Sequence, residues 1–192
     1  MPCLVIHLAV AKNYLKKHKN ENKDEFILGT IAPDINLPNI NKYINGVTDN
    51  KNSHHFGLNY KTSNMIEYMQ KKVDFNLFFK NNDITTSFLK AYFLHLLCDY
   101  YFFLDYIKDE RLINLSYIEA LKISYNDYNL ITPKIIKKYN LEIPIEIKDL
   151  ISEKGKGKIE LLNEDIIDSF INEMSNLDLS KEKNKLLTKS KY

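Results

Sequence analysis

His95 and Asp99 are the residues on which a chemical reading of this chain turns. They lie four apart in the run Ala91–Leu104, AYFLHLLCDYYFFL, where every other residue is apolar or aromatic. On a helix this spacing puts the two side chains one turn apart, with Cβ atoms about 5–6 Å from each other. A carboxylate in such surroundings is expensive to bury unless a partner replaces its lost hydration. Arginine is the usual buried partner, and the chain has one, Arg111. A metal ion shared by His95 and Asp99 answers the charge problem directly, as two ligands on one helical face do in HExxH zinc proteases. The competing reading is a buried, hydrogen-bonded His–Asp pair with no metal.

Further residues of ligand type are His7, in the apolar stretch LVIHLAVA; Asp34, just after Pro33; and His54 and His55, in the segment Ser53–Gly57. His18 sits among lysines and is set aside as a surface residue. Nitrogen and carboxylate ligands without cysteine suit zinc, with manganese or iron as other divalent options. Each site has a plainer alternative. His7 would be a satisfied core histidine, Asp34 a turn or cap residue, and His54 and His55 exposed loop residues.

The elements that must position these groups are helical. Leu4, Val5, Leu8, Ala11, Tyr14 and Leu15 recur at helical spacing to about His18, with Pro2 suited to the first helical position and His7 on the inward face. Asp24–Thr30 is a short apolar segment read as a helix ending near Gly29. Residues 36–52 form a long polar loop with Pro38 and Gly46, and Tyr60–Lys72 reads as a helix. Asn81–Asp83 is a turn, Thr85 or Thr86 caps the central helix Ser87–Ile107, and Ser116–Tyr139 is a long helix that Pro133 is expected to kink or divide. Pro144 opens a short piece to Ile151, Ile159–Met174 is a last amphipathic helix, and Ser180–Tyr192 is a Lys-rich end expected to fray. No strand alternation stands out, so the expected class is all-α, a multi-helix domain around a buried metal site. The expected organisation is one metal-binding helical domain over 1–152 and a flexible linker at 153–158, EKGKGK. A C-terminal amphipathic helix and tail over 159–192 would pack on the same domain.

Composition narrows the function. The 192 residues suffice for a real core, and a net charge of +2 with a single arginine gives no reason to expect specific nucleic-acid binding. Cys3 and Cys98 form neither a metal-ligand spacing nor a disulfide framework and read as free thiols of a reducing compartment. The positive charge follows the first apolar run, the reverse of a signal peptide, and Ala91–Leu104 is shorter than the roughly 18–20 residues that span a bilayer. A cytoplasmic location without a transmembrane segment is the expectation.

Four motifs in order, MPxxxxH at 1–7, GTIAPD at 29–34, SHHF at 53–56 and HLLCD at 95–99, resemble the bacterial zinc-dependent phospholipase C family, which is related in fold to the S1/P1 nucleases. The resemblance covers about Met1–Ile107 and extends towards Tyr125-Asn-Asp-Tyr128. It implies a helical domain with a zinc cluster that hydrolyses phosphoester bonds, phospholipid among its possible substrates. By position, Asp34, one of His54 and His55, His95 and Asp99 would hold one zinc. Asp99 would bridge to a second held by His7 and, in exported and cleaved members, by the N-terminal amine. His55 is favoured over His54 because it directly precedes Phe56. A third zinc needs histidines downstream of the central helix, and none follows His95, so one or two ions are expected. Asp34 would orient or deprotonate the attacking water, and Asp127 is a candidate supporting acceptor or extra ligand.

Three other readings bear on the same residues. An HD-type phosphohydrolase needs a His-Asp dipeptide, which does not occur here. A helical scaffold protein stabilised by metal predicts bound metal without turnover. A membrane-surface module using the aromatic helix and basic tail predicts liposome binding that salt abolishes.

Overall fold

The computed structural model describes residues 3–35, 42–46, 73–102, 104, 115–143 and 157–189. The helix expected over 60–72, the piece expected over 144–151 and most of the linker lie outside these residues. The described elements are seven α-helices and no strand: α1 Leu4–Lys17, α2 Lys23–Ile31, α3 Phe75–Asn81, α4 Ser87–Tyr101, α5 Tyr117–Tyr139, α6 Glu164–Ser175 and α7 Leu179–Lys189. The protein is all-α, as its periodicity indicated.

Two helices form the interior. Residues Ala91–Asp99 of α4 are buried on every side, and so are Val5–Ala11 of α1. A helix apolar all round has no solvent face to offer and is stable only when enclosed. Helix α2 makes the most extensive contact with α4, while α1 packs against α6, α2 and α5. On the far side of α4 an aromatic layer fills the space: Phe75 meets Phe93 edge-on at 5.9 Å, and Phe78 stacks on Phe93 at the same separation. Such pairs add specific geometry to the area they bury.

Gly29 does not end α2. It lies inside the helix where α2 crosses α4, and a Cβ there would stand 2.2 Å from the Phe88 carbonyl oxygen and 3.0 Å from Ala91 Cβ. The close crossing, not a helix stop, requires the glycine. The N-cap of α2 is Asn22, whose side chain accepts from the amides of Asp24 and Glu25. Thr86 caps α4 by accepting from the Leu89 amide at 3.1 Å.

Four further departures from the periodicity have local causes. Helix α3 carries an apolar run, FNLFF, too short to show a period, and it starts at the N-cap Asp74, which accepts from the Leu77 amide at 2.9 Å. Helix α5 runs unbroken through Pro133, held by buried Ile131, Thr132 and Ile135 on either side. Helix α6 starts at Glu164 rather than near Ile159, because the amides of residues 160–162 are taken by the Asp127 carboxylate and Asn163 provides the cap. The Lys-rich end is helical to Lys189, anchored by buried Leu179 and by the Lys183–Asp83 ion pair to the turn before α4.

Candidate metal centre

The centre is assembled where α1 and the end of α2 meet α4. His95 is fixed first. Its Nδ1 lies 2.7 Å from the Thr30 carbonyl oxygen, and both residues are buried. A carbonyl only accepts, so Nδ1 carries the proton and donates. In the neutral ring that leaves Nε2 with its lone pair, pointing away from α2. Metal-binding histidines are commonly oriented by such an outer partner. Thr30 is itself held in place, its hydroxyl donating to the Phe26 carbonyl one turn earlier at 2.8 Å.

The His7 ring stacks on His95, with centroids 3.7 Å apart and planes within 5°. Both side chains are fully enclosed. His7 Nε2 lies 3.3 Å from Asp99 Oδ1. His95 Nε2 lies 3.9 Å from Asp99 Oδ2 and 3.8 Å from Asp34 Oδ1. Yet neither nitrogen of His7 makes a hydrogen bond among the described residues, although both are buried. Orphaned buried nitrogens are rare enough to call for an explanation.

A divalent cation supplies one. One ligand atom each from His7, His95 and Asp99 lies within 4.8 Å of the other two. With metal–ligand bonds of about 2.0–2.1 Å, the edges of a tetrahedron are roughly 3.3–3.5 Å, so the 3.3 Å contact fits as it stands and the longer ones need only a small contraction. Two carboxylates beside the rings also concentrate negative charge there, which a divalent ion would balance. Asp34 stands at the open edge, on the turn after α2, with its side chain 19% exposed against 2% for Asp99. The cysteines are not built as thiolate ligands. Burial, followed by the Asp99 charge, pushes the Cys98 thiol well up, and burial also raises that of Cys3.

The structure therefore brings together His7, Asp34, His95 and Asp99. His54 and His55 lie outside the described residues. Asp127 is engaged elsewhere: fully buried, its carboxylate accepts from the amides of Glu160 at 3.0 Å, Leu161 at 2.7 Å and Leu162 at 3.0 Å, which pins that segment to α5. Two features escaped the sequence reading. The Thr30 carbonyl left no signal, since backbone carries no residue type, though Gly29 beside it marked the close crossing. Tyr128 does have a residue type. Its buried hydroxyl has no hydrogen-bond partner, and its ring packs 6.2 Å from that of Phe102, three residues beyond Asp99.

Compared with known proteins, residues 1–102 match a family described as zinc-dependent phospholipase C, a span that holds all four gathered residues. No curated protein and no solved structure matches the chain.

Proposed function

The chain belongs to the zinc-dependent phospholipase C family, and from that premise we propose that it hydrolyses phosphoester bonds with one or two zinc ions held by His7, His95, Asp99 and Asp34. One of His54 and His55 completes the set in this reading. The observation that carries it is the buried His7 ring, stacked on His95 beside Asp99 with neither nitrogen hydrogen-bonded among the described residues. Zinc bound there would supply Lewis-acid polarisation of a phosphoryl oxygen and a water nucleophile active near neutral pH.

The protein's own groups divide the remaining work. The Thr30 carbonyl holds the His95 ring in one tautomer, so its Nε2 faces Asp34 and Asp99 without searching rotamers. Asp99, buried beside the stacked rings, would be the carboxylate shared between the ions if two were bound. Asp34, at the solvent edge, is placed to take a proton from the attacking water and release it outward. Manganese or iron would fit the same donor set. The substrate is a phosphoester, with phospholipid the class that the family's name suggests.

The test joins metal content to turnover. Wild-type protein purified without added metal or chelator should carry one to two equivalents of zinc by elemental mass spectrometry, and should cleave p-nitrophenylphosphorylcholine or bis-p-nitrophenyl phosphate. His95→Ala should lose that metal and lower turnover by at least about 100-fold, the upper end of what losing an outer partner of a ligand costs. Metal retained without turnover would leave a metal-stabilised scaffold. Turnover unchanged in His95→Ala would sink the assignment.

A further inference from the structure

A second concave site lies away from the metal centre, along the outer faces of α1 and α2. It has a volume of about 680 Å³, within the range of roughly 300–1,000 Å³ typical of small-molecule sites. None of the four gathered metal-centre residues lines it. Its floor is aliphatic, from Leu8 and Leu15 of α1 and Ile27, Leu28 and Ile31 of α2. The third wall is Leu141-Glu142-Ile143. That wall is set by the end of α5, where Asn140 takes a left-handed conformation (φ 49°) and its carbonyl accepts from Lys12 Nζ. The groove is thus built from three separate parts of the chain.

Its rim is basic. Lys12, Lys16, Lys19 and Lys23 all line it, against Asp24 and Glu142. Among the described residues none of these four lysines has an ion-pair partner: Lys12 donates to a carbonyl and Lys16 to the Asn13 amide oxygen. Elsewhere on the surface Lys90, Lys134, Lys138, Lys183 and Lys185 each face a carboxylate. The charge also has a direction. Because α2 returns along α1 after a short turn, Leu8 and Ile31 lie at one end, and Lys19 and Lys23 at the other. The helical path from Leu8 to Lys17 covers about 14 Å at 1.5 Å per residue, and Lys19 lies just beyond it. That is close to half of the roughly 30 Å hydrocarbon core of a bilayer, the length of one leaflet's acyl chain.

We infer that this groove binds one long-chain fatty acid, with its alkyl chain along Leu8, Leu15, Ile27, Leu28 and Ile31 and its carboxylate between Lys19 and Lys23. A concave aliphatic trough with cations at one end suits a single-chain anionic amphiphile. A flat anionic surface would meet the lysines but leave the floor uncovered.

The experiment is a fluorescence titration of the full chain with 11-(dansylamino)undecanoic acid, with and without a chelator, since the inference does not depend on the metal. Saturable binding of one probe per chain is expected in both conditions. Palmitate should displace the probe, and hexadecanol, lacking the charge, should compete at least about tenfold less well. Lys19→Glu with Lys23→Glu should weaken binding at least about tenfold and remove its sensitivity to salt. Arginine at the same two positions should preserve binding. Leu28→Asp should remove it, with circular dichroism confirming that the helices remain. No saturable binding by wild type would overturn the inference, as would equal binding by the Lys→Glu and Leu28→Asp proteins. Binding to anionic vesicles without displacement by monomeric palmitate would also overturn it, and would identify a membrane-contact face instead. Since turnover is not read, failure here leaves the phosphoesterase reading untouched.

Discussion

Asp99 and Asp127 are both buried aspartates on long helices, and their surroundings differ in kind. Asp127 accepts three backbone amides and spends its charge on holding the segment before α6. Asp99 lies beside the stacked rings of His7 and His95, 3.3 Å from a His7 nitrogen that makes no hydrogen bond among the described residues. A carboxylate ringed with donors has its hydration replaced by the fold and needs nothing more. One set beside two stacked imidazoles has ligand-type nitrogens as neighbours, a setting that a divalent cation would stabilise. The two halves of the molecule thus treat the same functional group in opposite ways: the C-terminal half uses it as mortar, and the N-terminal half holds it in reserve.

The contrast can be broken most directly by removing metal. Chelation should lower the thermal midpoint of the wild type, with a loss of about 4 kcal/mol if zinc had been present at a thousandfold over its Kd. A melting curve unmoved by chelator and by added zinc would make Asp99 a second structural aspartate. Substitution of Asp127 by alanine strands three amides, and should cost about 3 kcal/mol or more in urea unfolding while metal content stays at the wild-type value. Metal loss from that variant would tie the clamp to the centre. A sharper form compares the isosteric changes in chelated protein. Asp127→Asn should still be destabilised, whereas Asp99→Asn should be at least as stable as metal-free wild type, because it removes the cost of burying a charge.

Smaller effects test the frame. Gly29→Ala forces a methyl against the Phe88 carbonyl and should cost about 1–3 kcal/mol, with weaker metal retention as α2 and the Thr30 carbonyl shift away from His95. Normal metal affinity in that variant would show that the crossing serves only packing. Glu21, nearer the surface, gives the mildest case. Burial raises its carboxyl, but the Lys90 ammonium and the Ser87 hydroxyl outweigh this and hold it below the usual 4.5. A depressed carboxyl stabilises the fold above its unfolded value, and that contribution fades as pH falls from about 4.5 through the folded value. Glu21→Gln should therefore lower the urea midpoint slightly at pH 7, by about 1 kcal/mol for a part-buried pair at the protein's edge, and the difference should shrink as pH falls below about 4.5. A gap that persists at pH 3 would assign the effect to packing.

Much of the helical frame was legible because it depends on local pattern. The all-round apolar run of α4 and the inward stripe of α1 could be enclosed in only one way, and the capping residues at Thr86 and Ser116 mark helix starts through hydrogen bonds made within a few residues. For the same reason His7, His95 and Asp99 stood out: a polar group on a buried face costs too much to be there without a use. Tertiary structure alone decided the rest. It stacked His7 on His95, supplied the Thr30 carbonyl that fixes a ring nitrogen, and gave Asp127 to the amides of residues 160–162 rather than to the centre. It also turned Gly29 from an apparent helix stop into a crossing point and closed Leu141–Ile143 over α1 and α2 to make the groove. These outcomes depend on backbone groups and helix faces from distant parts of the chain meeting in space, and residue type at one position carries no record of what the chain will bring against it.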